Sequence, residues 1–527
     1  VRSVTKPLRK HHRATVHLEW YWMLAILAAT IVAYTPSLGG GFLWDDPQYI
    51  RDNPLLRDFA GLVKIWISPT ASPQWYPVTF TSFWIEYQLW ATTTGGYHFT
   101  NLLLHCASVV LLWRILKRLD FEPALLAAGI FALHPLMTES VAWMTERKNT
   151  LSLFLGLVSL WFWLKTRERF EVRSYILCVV CFILSLLSKS VVATLPAVFL
   201  VIVWWRHGRI AKADWMHACP LFLGGIAMAC VTAYLESKHV GASAALTPEL
   251  NLTMLQRIVI AGRVIWFYAV KLIWPVNQSF IYPRWEIPTT PSLQLIAPIA
   301  VAVILAALLV LQKKIGRGPF AAVAIFCGVL LPVLGFFNVY PMRFSFVADH
   351  FAYHASIALI VIVATGLTRL HRNAPFIVLV PLAVMTFLRT TVYTDARTLW
   401  EDTHARNPSW MVKMNLGNAL RFGERSNSAD LVRAEQLYRE ARDLKPDNAE
   451  TQLLVGIVAG ARGNLTEAES CFREAVRINP NHAEAWYYLG ESLRFQKRND
   501  EAMGAYDRAI EIDPNFAKAK DAKAKVE

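Results

Sequence analysis

Long apolar runs, separated by short clusters of Lys and Arg, recur from Trp20 to Tyr393. A helix needs about 20 apolar residues to cross a bilayer core. In lipid a spanning segment must satisfy its backbone internally, which leaves helices and closed barrels. Runs of this length and continuity restrict the chain to an all-α fold, a polytopic bundle of membrane helices. Spans are predicted over 20–38, 99–116, 124–136, 151–164, 175–187, 191–205, 215–235, 293–311, 320–337, 351–370 and 375–393, about eleven in all. Composition agrees, since 55% of the 527 residues are hydrophobic and 17% charged, which is too apolar for a soluble protein. The net charge of +14 falls in loop clusters that orient helices, so no nucleic-acid partner is expected. Six of the seven Cys lie in apolar runs, and the Cys178–Cys181 spacing reads as small buried side chains rather than a redox or metal pair.

Arg2, Lys6, Arg9, Lys10 and Arg13 predict a cytoplasmic N-terminus. No small-residue cleavage site follows the first run, which should stay as a signal anchor. The loop 39–98 then lies on the outer face, and a loop of that length inside a compact domain is usually functional. Stretch 252–274 is apolar but carries Arg257, Arg263 and Lys271. If it spanned, the later basic loops would fall outside, so it is expected to be re-entrant or interfacial. An odd number of spans puts the C-terminal region on the side of loop 39–98.

That region has a period. Pro446, Pro480 and Pro514 lie 34 residues apart, and Gly456 and Gly490, Ala468 and Ala502, and Phe472 and Tyr506 repeat at the same interval. This is the tetratricopeptide signature, a helix–turn–helix per repeat stacking into an α-solenoid. An irregular first copy runs from Trp410 through Gly417 and Tyr438 to Pro446, with an insertion around 424–430. The predicted domains are therefore 1–395 and 396–527. The concave groove of such a stack suits a protein partner; Asn415 and Asn418, on the first repeat's inner helix, could bind its backbone, though the other copies lack the pair and it also reads as surface decoration.

Candidate chemistry gathers on the predicted outer face. Asp45 and Asp46 follow Trp44 in the first loop, and adjacent carboxylates at a membrane surface are costly unless they bind or react with something. Asp-Asp-Pro also reads as a helix cap with Pro47 at the first position. The second outer turn carries His134, Glu139, Arg147 and Lys148; later turns carry Lys189, Tyr282, Arg343, Asp349 and His350. Cations on this face run against the charge bias, and a lipid-phosphate substrate supplies a reason for them. Taken singly, Lys189 could snorkel, His134 could be satisfied locally, and Asp349 could pair with Arg343. The chemistry this suggests is glycosyl transfer from a polyprenyl-phosphate sugar. Asp45 or Asp46 would take the acceptor proton, cations would receive the phosphate leaving group, and one-base displacement implies inversion. Two adjacent carboxylates could also hold a Mg or Mn ion, though two ligands are too few to define a site.

With Trp44-Asp45-Asp46, His134-Pro135, Glu146-Arg147-Lys148, Lys189, Tyr282-Pro283, Ala348-Asp349 and the repeat array in place, the chain resembles the transmembrane-and-tetratricopeptide O-mannosyltransferase-like proteins. The resemblance implies a GT-C membrane fold and an acidic catalytic residue in the first lumenal or periplasmic loop. It also implies a polyprenyl-phosphate-linked mannose donor and Ser/Thr acceptors on proteins. The chain departs from the family pattern at Met137, Asn149 and His350. Its Glu-Arg-Lys turn implies a bacterial inner membrane with the repeats in the periplasm. Two rival readings are an O-antigen-ligase-like oligosaccharide transferase and a non-catalytic membrane-anchored scaffold.

Overall fold

The computed structural model describes residues 6–237, 248–370, 375–423 and 426–526, and every regular element among them is helical. Val1–Asp395 and Ala396–Glu527 form two compact units.

Among the described residues of the first unit, six helices are long and apolar enough to cross a membrane: Leu18–Leu38, Thr94–Arg118, Ser190–His207, Lys212–Leu235, Leu293–Ile315 and Phe376–Tyr393. A seventh is formed if Ala124–Leu133 and Pro135–Ala142, bent by 56°, count as one broken span. The other expected spans fall on helices that are shorter (Val172–Leu186, Gly318–Val333, Ser356–Leu370) or charged at both ends (Arg147–Glu168). Length and composition thus support six or seven spans rather than about eleven. Stretch 252–274 forms a continuous helix, Met254–Ile273, opened by a Thr253–Gln256 capping box. It is not one of the six.

The bend at Pro135 follows from local sterics. A residue before proline is pushed out of the α region, and His134 accordingly takes φ −78° and ψ 125°. Its Nδ1 accepts from the Leu136 N–H at 3.2 Å, which closes a one-turn 3-10 helix. Every residue from 131 to 150 is buried, so the expected outer turn is a packed plug and not a solvated loop.

Loop 39–98 holds two further helices. Asp58 caps Phe59–Ile67 by accepting from the Gly61 N–H, and Pro77 stands at the first turn of Pro77–Trp90. Tyr49, Ile50, Leu56, Phe80 and Phe83 form a small core beneath them, while Phe59, Ile67 and Leu89 stay exposed.

The second unit is the expected repeat stack, with helix pairs Trp410–Phe422 and Ser428–Leu444, Ala449–Ala461 and Leu465–Ile478, and Ala483–Phe495 and Asn499–Ile512. One contact recurs in all three. A Cβ added at Gly417, Gly456 or Gly490 would stand 2.5 Å from the ring of Tyr438, Phe472 or Tyr506, respectively. The paired helices approach so closely that only glycine fits beneath the ring, which is why the sequence repeats both residues.

Candidate active site

The first helix ends at Leu38, and the chain turns sharply at Leu43–Asp46. The Asp46 N–H donates to Leu43 O at 2.7 Å, and Asp46 Oδ2 accepts from the Leu43 N–H at 2.8 Å. Asp46 Oδ1 accepts from the Thr145 N–H at 2.9 Å and from the Thr145 hydroxyl. Asp46 is fully buried, and burial raises its carboxyl to about 7 against these hydrogen bonds. It ties the first loop to the turn before Arg147. Pro47 does open a short helix, Pro47–Arg51, but the Asp46 side chain does not cap it.

Trp44, between these bonds, takes φ +34°. A bulky residue in the left-handed region costs roughly 1 kcal/mol or more and persists only where its surroundings impose it. The turn sets Asp45 apart from Asp46. Asp45 is half-buried, and its electrostatic neighbours are Lys148, Glu146 and His350. Burial raises its carboxyl to about 6, against the pull of Lys148. Both Asp46 oxygens are engaged within the chain, so Asp45 is the one carboxylate this turn offers to a ligand or a metal ion. Among the described residues no group of three or more metal-binding side chains gathers.

Glu146 sits at the centre of the neighbouring cluster. Its carboxylate meets Lys148 Nζ and Lys189 Nζ, each at 3.1 Å, accepts from Asn149 Nδ2 at 2.7 Å, and lies 3.9 Å from His350 Nε2. Burial opposes its charge, but His350, Lys148 and Lys189 outweigh that and hold the carboxyl well below the usual range. Lys189 is pulled down to about 8 by burial and by the like charge of Lys148, although Glu146 opposes this. Two ammonium groups share one carboxylate and keep N–H donors for an incoming anion.

His350 Nδ1 meets Glu139 Oε1 at 2.6 Å, and the His350 carbonyl accepts from Asn149 Nδ2 at 3.0 Å. The departures at Asn149 and His350 therefore touch each other beside Glu146; Met137 accepts from the Ser356 hydroxyl nearby in the core. Asp349 Oδ1 accepts from the Tyr282 hydroxyl at 2.7 Å, and burial and Glu139 push its carboxyl up to about 7.

The structure thus brings together Asp45, Glu139, Lys148, Lys189, Tyr282, Asp349 and His350. Other expected site residues are engaged elsewhere. Arg147 is fully buried and spends all five N–H donors on Glu86, Asn101, Ser82 and the Tyr97 carbonyl, so it braces loop 39–98 and does not face Asp45. His134 is satisfied by Leu136 and by the Leu272 carbonyl at 3.1 Å. Arg343 stacks on Tyr340 and Phe344 and does not pair with Asp349. Asn415 donates to the Met411 carbonyl, and Asn418 accepts from the Tyr438 hydroxyl, so both serve their own repeat. Sequence reasoning gave no role to Glu146, although it stood in the Glu-Arg-Lys turn. It also missed Glu86, whose signal is a single acid within an apolar helix.

A family model described as dolichyl-phosphate-mannose-protein mannosyltransferase matches residues 76–234, and a tetratricopeptide-repeat model matches 453–515. The first match takes in Glu139, Glu146, Lys148 and Lys189. A Caenorhabditis elegans protein O-mannosyl-transferase, F38B6.6, is 30% identical over 301 residues, 53% of this chain and 42% of that protein. The resemblance to the transmembrane-and-tetratricopeptide O-mannosyltransferases holds. The Drosophila melanogaster protein O-mannosyl-transferase Tmtc3 is 34% identical over 161 residues, 24% of this chain and 17% of that one. The human protein O-mannosyl-transferase TMTC4 is 30% identical over 165 residues, 26% and 22%. The chain spans less than half the length of these curated relatives. Like these mannosyltransferases in sequence, it joins helices able to cross a membrane to a repeat array of a kind that binds proteins.

Proposed function

We propose that the chain is a GT-C-type membrane glycosyltransferase that moves mannose from a polyprenyl-phosphate donor to a Ser or Thr hydroxyl of a protein. The observation that carries this reading is Asp45, partly exposed beside Lys148, which shares the Glu146 carboxylate with Lys189. Asp45 takes the proton of the acceptor hydroxyl as its oxygen attacks the anomeric carbon. The bond from that carbon to the lipid phosphate breaks, and its electron pair passes to the phosphate oxygen. Lys148 and Lys189 receive the negative charge in a partly dehydrated site. Attack opposite the leaving group inverts the anomeric carbon.

The lipid tail has a place to lie. An apolar cavity of about 720 Å³ is walled by Leu112, Leu157, Phe199, Val329 and Val361 and reaches His354, whose electrostatic neighbours are Lys189 and Glu146. In this reading Glu139, His350, Tyr282 and Asp349 frame the sugar. Transfer takes place on the extracytoplasmic face, the periplasm of a bacterial inner membrane, and the repeat stack presents the acceptor protein.

Asp45→Asn lowers transfer by about 10²- to 10⁴-fold without weakening acceptor-protein binding or lowering the melting temperature, as measured on purified protein in nanodiscs. Unchanged transfer sinks the assignment of the base. The product's anomeric configuration, read by NMR, is opposite to the donor's; retention excludes direct displacement.

A further inference from the structure

A second cavity of about 720 Å³ adjoins Asp45's turn, with Trp44 and Pro47 in its wall. Trp44, Trp75 and Tyr76 contribute its aromatic wall, and Pro residues of loop 39–98 stiffen its rim. Among the described residues that line it there is no Lys, Arg or His, but there are two acids, Asp52 and Glu236. Asp52 is paired with Arg51 at 2.9 Å and exposed, which leaves Glu236 as the carboxylate of the interior.

Glu236 is 9% exposed. Its Oε1 accepts from Gln74 Nε2 at 3.3 Å. Burial raises its carboxyl above the usual range, against Gln74, the Tyr340 backbone N–H and the charge of Lys148, so a cation brought to it would restore its charge. Its Oε2 is buried without a hydrogen-bond partner. A buried carboxylate oxygen left unmatched costs free energy that an arriving donor would recover. Gln74 is also the wall shared with the lysine cluster, because its Oε1 accepts from the Tyr49 hydroxyl at 3.0 Å and from Lys148 Nζ at 3.5 Å. Glu236 lines the cleft and Lys148 does not, although the two attract each other across Gln74. An anionic lipid phosphate is favoured on the lysine side and repelled from the Glu236 side. An ammonium or guanidinium is favoured beside Glu236, where the aromatic rings add cation–π attraction.

We infer that this cleft receives the protein acceptor and selects Ser or Thr hydroxyls flanked by Lys or Arg, whose cation meets Glu236. The inference rests on the transferase reading for the identity of the acceptor, but its test does not depend on turnover. Three fluorescent peptides, identical except for Lys, Ala or Glu beside the serine, are titrated into the full-length protein in nanodiscs and followed by anisotropy. The Lys peptide binds about tenfold or more tighter than the Glu peptide. Glu236→Gln collapses that ratio towards one and leaves the Ala peptide unchanged. Equal binding of the Lys and Glu peptides to the wild-type protein overturns the inference, whether or not the variant folds. So does a ratio that survives Glu236→Gln. Asp45→Asn separates the two ideas, because it retains the peptide preference while transfer is lost. Continued transfer by Asp45→Asn would refute the base and leave the cleft standing.

Discussion

Two adjacent aspartates, indistinguishable by position in the chain, have different surroundings. Asp46 is fully buried and accepts from Leu43 and Thr145, whereas Asp45 is half-buried and faces Lys148, Glu146 and His350. Asp46→Ala leaves buried donors unmatched and costs about 2 kcal/mol, so it lowers the melting temperature and the activity together. Asp45→Asn lowers activity alone. Its carboxyl titrates at about 6 in the folded protein, above the ordinary value of about 4. Any stability from keeping it protonated is full at acid pH and lost as pH rises through about 6. Removing the charge is therefore neutral or slightly stabilising at neutral pH. As a base, Asp45 must be ionised, so kcat/KM rises with pH through about 6. In the proposed reaction Lys189 must stay protonated to receive the leaving phosphate, so kcat/KM is expected to fall through about 8. Lys189→Arg removes the alkaline limb, because arginine keeps its charge. A flat profile across that window contradicts both roles.

At the scale of elements, the buried turn between His134 and Asn149 connects the lysine cluster to loop 39–98. The Arg147–Glu86 pair fastens it to Pro77–Trp90, with N–O distances of 2.7 and 3.1 Å. Removing one partner of a buried pair leaves an uncompensated charge and costs about 3–5 kcal/mol. Glu86→Ala accordingly lowers the melting temperature and exposes loop 39–98 to limited proteolysis, and activity falls because Asp45 loses its support. If the loop stays protease-resistant and the protein melts normally, Arg147 has another partner in solution. The same geometry explains why Arg147 looked like a phosphate ligand from sequence alone. A cation beside Lys148 on the outer face was legible, but its counter-ion sits 61 residues earlier in another helix.

For the whole molecule, the two units owe their legibility to different periods. In the repeats, spacing fixes the helix pairs, and the tight contacts under Tyr438, Phe472 and Tyr506 follow from it. Gly490→Ala drives a methyl group into the Tyr506 ring and costs about 1–3 kcal/mol. Calorimetry of the full chain should show an earlier transition for the repeat unit and an unchanged one for the membrane unit. In the membrane unit, apolar runs announced helices, because hydrophobic length is a local property. They could not tell a full-length span from a shorter apolar helix or from the bend at Pro135, so six or seven of the eleven runs meet the length of a span among the described residues. Residue type and the outer-face pattern named Asp45, Lys148, Lys189, Asp349 and His350 as candidates without the coordinates. Only the tertiary structure separated Asp45 from Asp46, put Glu146 between two lysines, withdrew Arg147 into a brace, and opened an acidic cleft at Glu236. Each of these depends on which distant side chain completes a buried charge or hydrogen bond, and that partner is chosen by helix packing and not by neighbours in the chain.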